Sequence, residues 1–232
     1  MTKKDVLNIV EYIATDSFFK DFVVRKRDNS IILKTDYGYK QVQLVHYNSY
    51  DLSRNALALE ITPGYAVRFN VLHKWFEKYS KRPLNVQRED FSIVLVGSKL
   101  NRPNEFYILE SRKDYAKDVQ SIYTEVVNNA KFVFSKFATL KGYYEYHIDE
   151  VLKGEKDFPN DGSDWVFEYL IATRLVAPSS YDIVKNMILE RVKLMISRKE
   201  PNIIMYSDDL PAILDDLEHT DFSTGEWGKV IL

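Results

Sequence analysis

The chain has 232 residues, 45% apolar and 28% charged, close to the average for globular domains, so disorder and fibrous repeats are excluded. With no cysteine, it can hold no disulfide, thiolate zinc site, iron–sulfur cluster or cysteine nucleophile. A net charge of −2 argues against a dedicated nucleic-acid binder, and the longest apolar runs fall far short of the roughly 20 residues that span a bilayer.

That average hides an asymmetry. Through Lys113 there are 19 Lys and Arg against 13 Asp and Glu, a net of +6; from Asp114 onward there are 13 against 21, a net of −8. Such a contrast marks either a basic binding surface or two halves that attract each other. Met1-Thr2-Lys3-Lys4-Asp5 runs straight into an amphipathic pattern rather than a secretory leader, so the expected setting is cytoplasmic, with no membrane partner.

Val6, Ile9, Val10 and Ile13 recur at helical spacing and predict a first helix from about Lys3 to Ser17. Strand chemistry follows. Phe22–Arg27 and Ser30–Thr35 flank Asp28-Asn29, a pair suited to a hairpin because Asn tolerates a left-handed backbone. Tyr37-Gly38 turns the chain into a strand over Tyr39–Tyr47. Asn48–Asn55 reads as a loop, and Ala56–Ile61 and Tyr65–Phe69 as two strands separated by Thr62-Pro63-Gly64. Val71, Leu72, Trp75, Phe76 and Tyr79 form a helical stripe that Pro83 stops. Phe91–Val96 and Glu105–Leu109 read as a further strand pair.

The period-two parity sorts these strands into two faces. Val42, Leu44, Leu57, Leu59, Ile61, Tyr65, Val67 and Phe69 define a core face. The opposite face carries Arg25, Arg27, Tyr39, Gln41, Gln43, Tyr47, Glu60 and Arg68, with Ala56, Ala58 and Ala66 between them. An antiparallel sheet with one buried and one wet face would have this pattern. Short alanines beside long polar side chains leave a shallow depression that can grip a carboxylate, a phosphate or a peptide. The same alanines would equally let another element pack close. These eight residues are the candidate partner-binding site.

From Tyr115 the period changes. Val119, Ile122, Val126, Ala130, Val133 and Phe137 sit three or four apart and predict a long amphipathic helix. Gly142 is expected to break the chain before a shorter helix from Tyr143 to Leu152, closed by Gly154. Asp164 is placed to cap Trp165–Val176, which is apolar on nearly every side and therefore interior. Pro178 ends that helix, and further helices are expected over Tyr181–Arg198 and, with Asp208 or Asp209 as cap and Pro211 just inside, to about Glu218. The apolar tail Val230-Ile231-Leu232 is expected to dock.

The search for chemistry yields little. His46, His73, His147 and His219 lie in separate elements, and Glu145, His147, Asp149 and Glu150 read as a structural or solvated cluster. There is no Gly-rich phosphate loop and no Gly-x-Ser-x-Gly elbow. Asp36 followed by Gln41-Val42-Gln43 has the order of a metal-dependent nuclease but lacks its lysine, and Glu110-Ser111-Arg112 is a second imperfect match. No catalytic, cofactor or metal residue is therefore assigned.

Phe22-x-x-Arg25, Ile31–Lys34 and Tyr39-Lys40-Gln41-Val42-Gln43-Leu44-Val45 together resemble a family of uncharacterised bacterial α+β domains, with Asp21 where that family favours Gly. The likeness covers roughly residues 3–140. It implies a bacterial cytoplasmic protein without assigned activity, some relatives of which resemble immunity or accessory proteins that bind another protein. The expectation is an α+β fold: an antiparallel sheet with flanking helices (residues 1–113), then an irregular C-terminal helical subdomain (114–232) packed on it as one unit. Its expected role is non-catalytic binding of a protein partner. A degenerate nuclease or other hydrolase is the alternative, and nucleic-acid binding is possible but not favoured.

Overall fold

A computed structural model describes residues 3–51, 56–100, 107–110, 116–159, 164–200 and 206–232. Six strands form an antiparallel sheet: β1 (Val23–Arg25), β2 (Ser30–Lys34), β3 (Gly38–Asp51), β4 (Ala56–Phe69), β5 (Ile93–Val96) and β6 (Tyr107–Glu110). The order is β1-β2-β3-β4-β5, with β6 also on β4. The fold class is α+β, with a helical C-terminal region, as the sequence leads one to expect. By packing, the chain gathers into two compact units, Met1–Arg68 with Ile93–Lys136 and Phe69–Ser92 with Phe137–Leu232.

In the first unit the parity of the strands is carried into space. Val42, Leu44, Leu59, Ile61, Tyr65 and Val67 are buried, joined by Ile93, Leu95 and Leu109 from the flanking strands. Leu57 lies where no side chain is described. Two helices pack on each other and against β3: α1 (Lys3–Ile13), through Val6, Ile9, Val10 and Ile13, and the long helix Ala116–Lys136, through Ile122, Val126, Val127, Ala130, Val133 and Phe134. Each large aliphatic or aromatic side chain so buried contributes about 1.5–3 kcal/mol gross. Phe18, Phe19 and Phe22 close one end of this core, with the Phe22 and Phe134 rings stacked 5.9 Å apart. Lys40 lies on the core face with its ammonium 5.7 Å from the Phe134 ring, and burial lowers its pKa.

Three local expectations are corrected. Thr62-Pro63-Gly64 does not break the chain: β4 is one strand of 14 residues. Its outer edge is shared, since Ala58–Ile61 pair with β6 and Gly64–Val67 with β5. Pro63 falls in the gap between these ladders, where neither β5 nor β6 requires the N–H that proline lacks. For the same reason β5 and β6, expected to pair with each other, instead line up end to end along β4. Gly142, expected as a breaker, lies inside the helix Leu140–Tyr144. The turn between β1 and β2, by contrast, follows the expected chemistry: Asn29 adopts φ 51°.

The second unit is helical. It opens with two short helices, Asn70–Lys74 and Leu84–Gln87. Then come Leu140–Tyr144, a wider π turn over Glu145–Asp149, Glu150–Leu152, Asp164–Val176, Tyr181–Ser197 and Leu210–His219. Asp164–Val176 is buried at eight consecutive or near-consecutive positions, as its unbroken apolarity predicts, and Phe167 stacks on Phe76 at 4.2 Å. Gly154, at φ 72°, closes the helix before it. Asp209 makes no side-chain cap; its carboxylate instead meets Lys81 at 3.1 Å. The tail docks through a hydrogen bond from Leu140 N–H to the Ile231 carbonyl, 2.7 Å, and a Cβ at Gly228 would come within 2.9 Å of the Asn70 Cβ.

Candidate functional site

The polar face of the sheet is set by register. Arg25 lies opposite Ser30 and Ser30 opposite Gln43; Val23 lies opposite Ile32 and Ile32 opposite Gln41; Lys34 lies opposite Tyr39. A Cβ at Gly64 would sit 3.9 Å from the Gln43 carbonyl oxygen, which puts β4 alongside at this level. Of the eight sequence-selected residues this register brings Arg25, Tyr39, Gln41 and Gln43 onto a common face, and the environments of the eight differ sharply.

The centre of that face is not open to water. Gln41 is 4% exposed and Arg68 2%, and Ala58 and Ala66 are buried as well. A buried guanidinium or amide persists only with hydrogen-bond partners, so these two side chains belong to the interior rather than to a recognition surface. Tyr39, Gln43 and Glu60 are half-buried, Arg27 is exposed in the β1–β2 turn, and Tyr47 is 65% exposed farther along β3.

Arg25 and Gln43 are drawn together by the turn itself. Arg25 Nη2 is 2.9 Å from Asp28 Oδ2, the Ser30 hydroxyl donates to Asp28 Oδ1 at 2.7 Å, and Gln43 Nε2 donates to the Asp28 carbonyl at 3.1 Å. Asp28 is the hub of the hairpin, holding three strands at one level.

What does stay open lies beside this hub, at the end of the sheet. Asp21, Val23, Arg25, Ile32, Leu33 and Lys34 line a depression of about 560 Å³, with Val23 65% exposed. The sequence signal for Val23 was its shared parity with Arg25; that this strand ends the sheet is a property of topology that alternation does not encode.

A second polar cluster occurs in the other unit. The Ser92 hydroxyl lies 2.9 Å from His73 Nε2, His73 Nδ1 lies 3.6 Å from Glu168 Oε1, and Tyr143 donates to Glu168 Oε2 at 3.0 Å. Burial, together with the nearby carboxylate, raises the Tyr143 pKa well above its ordinary value. The order Ser–His–Glu is that of a nucleophilic relay. Its setting is that of a structural network: Ser92 and His73 are each 8% exposed, and Ser92 Oγ accepts the Phe69 N–H at 3.0 Å. The adjoining cavity, lined by His73, Gln87, Asp90, Asp164 and Glu168, holds about 10 Å³, the space of a single water. Arg82 bridges Asp90 and Asp164 at 2.8 and 2.7 Å beside it. Sequence reasoning missed this cluster because its members come from three distant segments with no local motif.

Among the described residues no three His, Asp or Glu side chains are grouped so as to hold a metal ion, and no helix is long and apolar enough to cross a membrane. Asp36 is exposed ahead of β3, while Ser111 and Arg112 lie outside the described residues. Glu145 and Asp149 pair with Lys141 and Lys153 one turn away, and His147 Nδ1 meets the Tyr169 hydroxyl at 3.0 Å. No protein-family model, curated protein or solved structure matches the chain.

Proposed function

We propose that this chain is a non-catalytic protein-binding module of the bacterial cytoplasm, and that its partner docks where β1 and β2 end the sheet. The observation that carries the reading is the open depression floored by Val23 and Ile32 and rimmed by Arg25 and Lys34. An exposed aliphatic side chain ringed by charge is the usual anatomy of a recognition patch, with an apolar centre for affinity and a polar rim for register. The basic excess of the first half favours an acidic partner, and the resemblance to uncharacterised bacterial α+β domains, some relatives of which resemble immunity or accessory proteins, favours a protein one. Of the eight residues chosen from sequence, Arg25, Arg27, Tyr39 and Gln43 lie near the contact, Gln41 and Arg68 are interior supports, and Tyr47 and Glu60 take no part in it.

The test compares wild-type chain with a Val23→Asp, Lys34→Glu double variant in affinity capture from the native host, after circular dichroism has shown both to be folded. A protein retained by the wild type and lost by the variant is the expected result. Equal retention of every captured protein refutes docking at this end of the sheet.

A further inference from the structure

Resting on that docking reading, we infer that the partner supplies an extended segment that adds to β1 as a further strand, and that the segment carries an acidic–x–aliphatic–x–acidic pattern. β1 ends the strand order, and among the described residues no strand pairs with its outer edge. Proteins commonly guard such edges by keeping them short and placing lysines on them. β1 is short, but the residue at its open face is an exposed valine lining the depression, which is the opposite of a guard.

The side-chain pattern follows from register. Val23 and Arg25 project to the same face, Val23 level with Ile32 and Arg25 level with Ser30. Lys34 stands two residues beyond Ile32 on β2, so along the strand direction Arg25, then Val23 backed by Ile32, then Asp21 backed by the Lys34 cation succeed one another. Each step is two residues, roughly 6.6 Å, which puts the two cations roughly 13 Å apart. An extended chain alongside repeats the same spacing at i, i+2 and i+4. Its middle side chain meets Val23, with Ile32 one strand farther in, and its outer two reach Arg25 and, past Asp21, Lys34.

Charge selects acidic residues for the outer positions. Residues 20–34 hold five basic side chains (Lys20, Arg25, Lys26, Arg27, Lys34) and two acidic ones (Asp21, Asp28), a net of +3. Arg25 meets Asp28 through one terminal nitrogen, and a guanidinium has five N–H donors to share. Asp21 lines the Lys34 end and makes it the weaker of the two anchors.

The probe is a fluorescein-labelled, end-capped peptide with the core Glu-Thr-Val-Thr-Glu, compared by anisotropy with Lys-Thr-Val-Thr-Lys and with two versions N-methylated at alternate amides. The full chain should bind the acidic peptide at least ten-fold more tightly than the basic one, an advantage of about 1.4 kcal/mol. Val23→Asp, and separately Lys34→Glu, should weaken it. One N-methylated version should lose binding and the other keep it, because only one set of amides faces β1. No binding of the acidic peptide up to millimolar concentration overturns the inference; so does equal binding of the basic peptide, or indifference to N-methylation at both sets. If the peptide fails while the captured partner still depends on Val23, docking at this edge stands and strand addition falls; if neither depends on Val23, both fall.

Discussion

Replacing Asp28 by Ala tests the hairpin hub, because three interactions of different kinds converge there. The ion pair with Arg25 is partly solvent-screened, the two side chains being 22% and 32% exposed, and its loss costs about 0.2–1 kcal/mol. Ser30 is fully buried, so removing the acceptor of its hydroxyl leaves a donor away from water, at about 1–3 kcal/mol. The Gln43 bond runs to the Asp28 main chain and survives the substitution. The expected loss is therefore about 1–4 kcal/mol, read as a lower urea midpoint at unchanged slope. Asp28→Asn keeps an oxygen for Ser30 and removes only the charge, so it should cost no more than about 1 kcal/mol. An Ala variant within about 0.5 kcal/mol of wild type, or an Asn variant as damaging as Ala, refutes the assignment of the hub.

Two further predictions concern other regions. Ser92→Ala should lower stability by about 1–3 kcal/mol by breaking the buried network with His73 and the Phe69 N–H, and a fluorophosphonate probe should leave wild-type Ser92 unmodified; stoichiometric labelling would instead reveal a nucleophile. Stability should also fall in acid. The Tyr123 hydroxyl and the Phe18 N–H hold the Asp16 carboxyl below its ordinary 3.8, and the Ser223 hydroxyl and N–H do the same for Asp221. Burial alone would raise Asp216, but Lys78 and Tyr79 outweigh it and lower it too. A carboxylate depressed in the folded state stabilises above its unfolded pKa and loses that contribution as pH drops through the folded one. Unfolding free energy measured from pH 6 downward should therefore decline below about pH 4–5. In Asp16→Asn the decline should be shallower, and an unchanged slope would contradict the assignment.

The periodic elements were legible in the sequence wherever one neighbour shell decides the structure. The three-and-four spacing of Ile122, Val126, Ala130 and Val133 needs only one apolar wall, and the alternation from Val42 to Val67 needs only one buried face; both are local signals with a single solution. Asn29 was readable because a left-handed residue is a property of its own backbone. Pro63 was misleading because its meaning depends on which strands flank it: in a uniformly paired strand it would break the ladder, and here it falls between two. The polar face shows the same limit from the other side. Alternation identified Gln41 and Arg68 as the polar register, yet whether a polar register is covered is decided by distant chain, and both are buried. The open ground at Val23 and Lys34 depends on strand order, and the approach of Ser92 to His73 and Glu168 joins positions with no shared local pattern.

The long fourth strand has a consequence for errors. Because β3 lies on one side of it and both β5 and β6 hang from the other, a slip of one residue cannot be confined to a hairpin. Leu59, Ile61, Tyr65 and Val67 would turn outward together, Pro63 would move out of its gap into a pairing position, and two separate ladders would lose their matches in a single step. Misalignment is thereby made too costly to persist, and one ribbon of backbone acts as the ruler against which the rest of the sheet is measured.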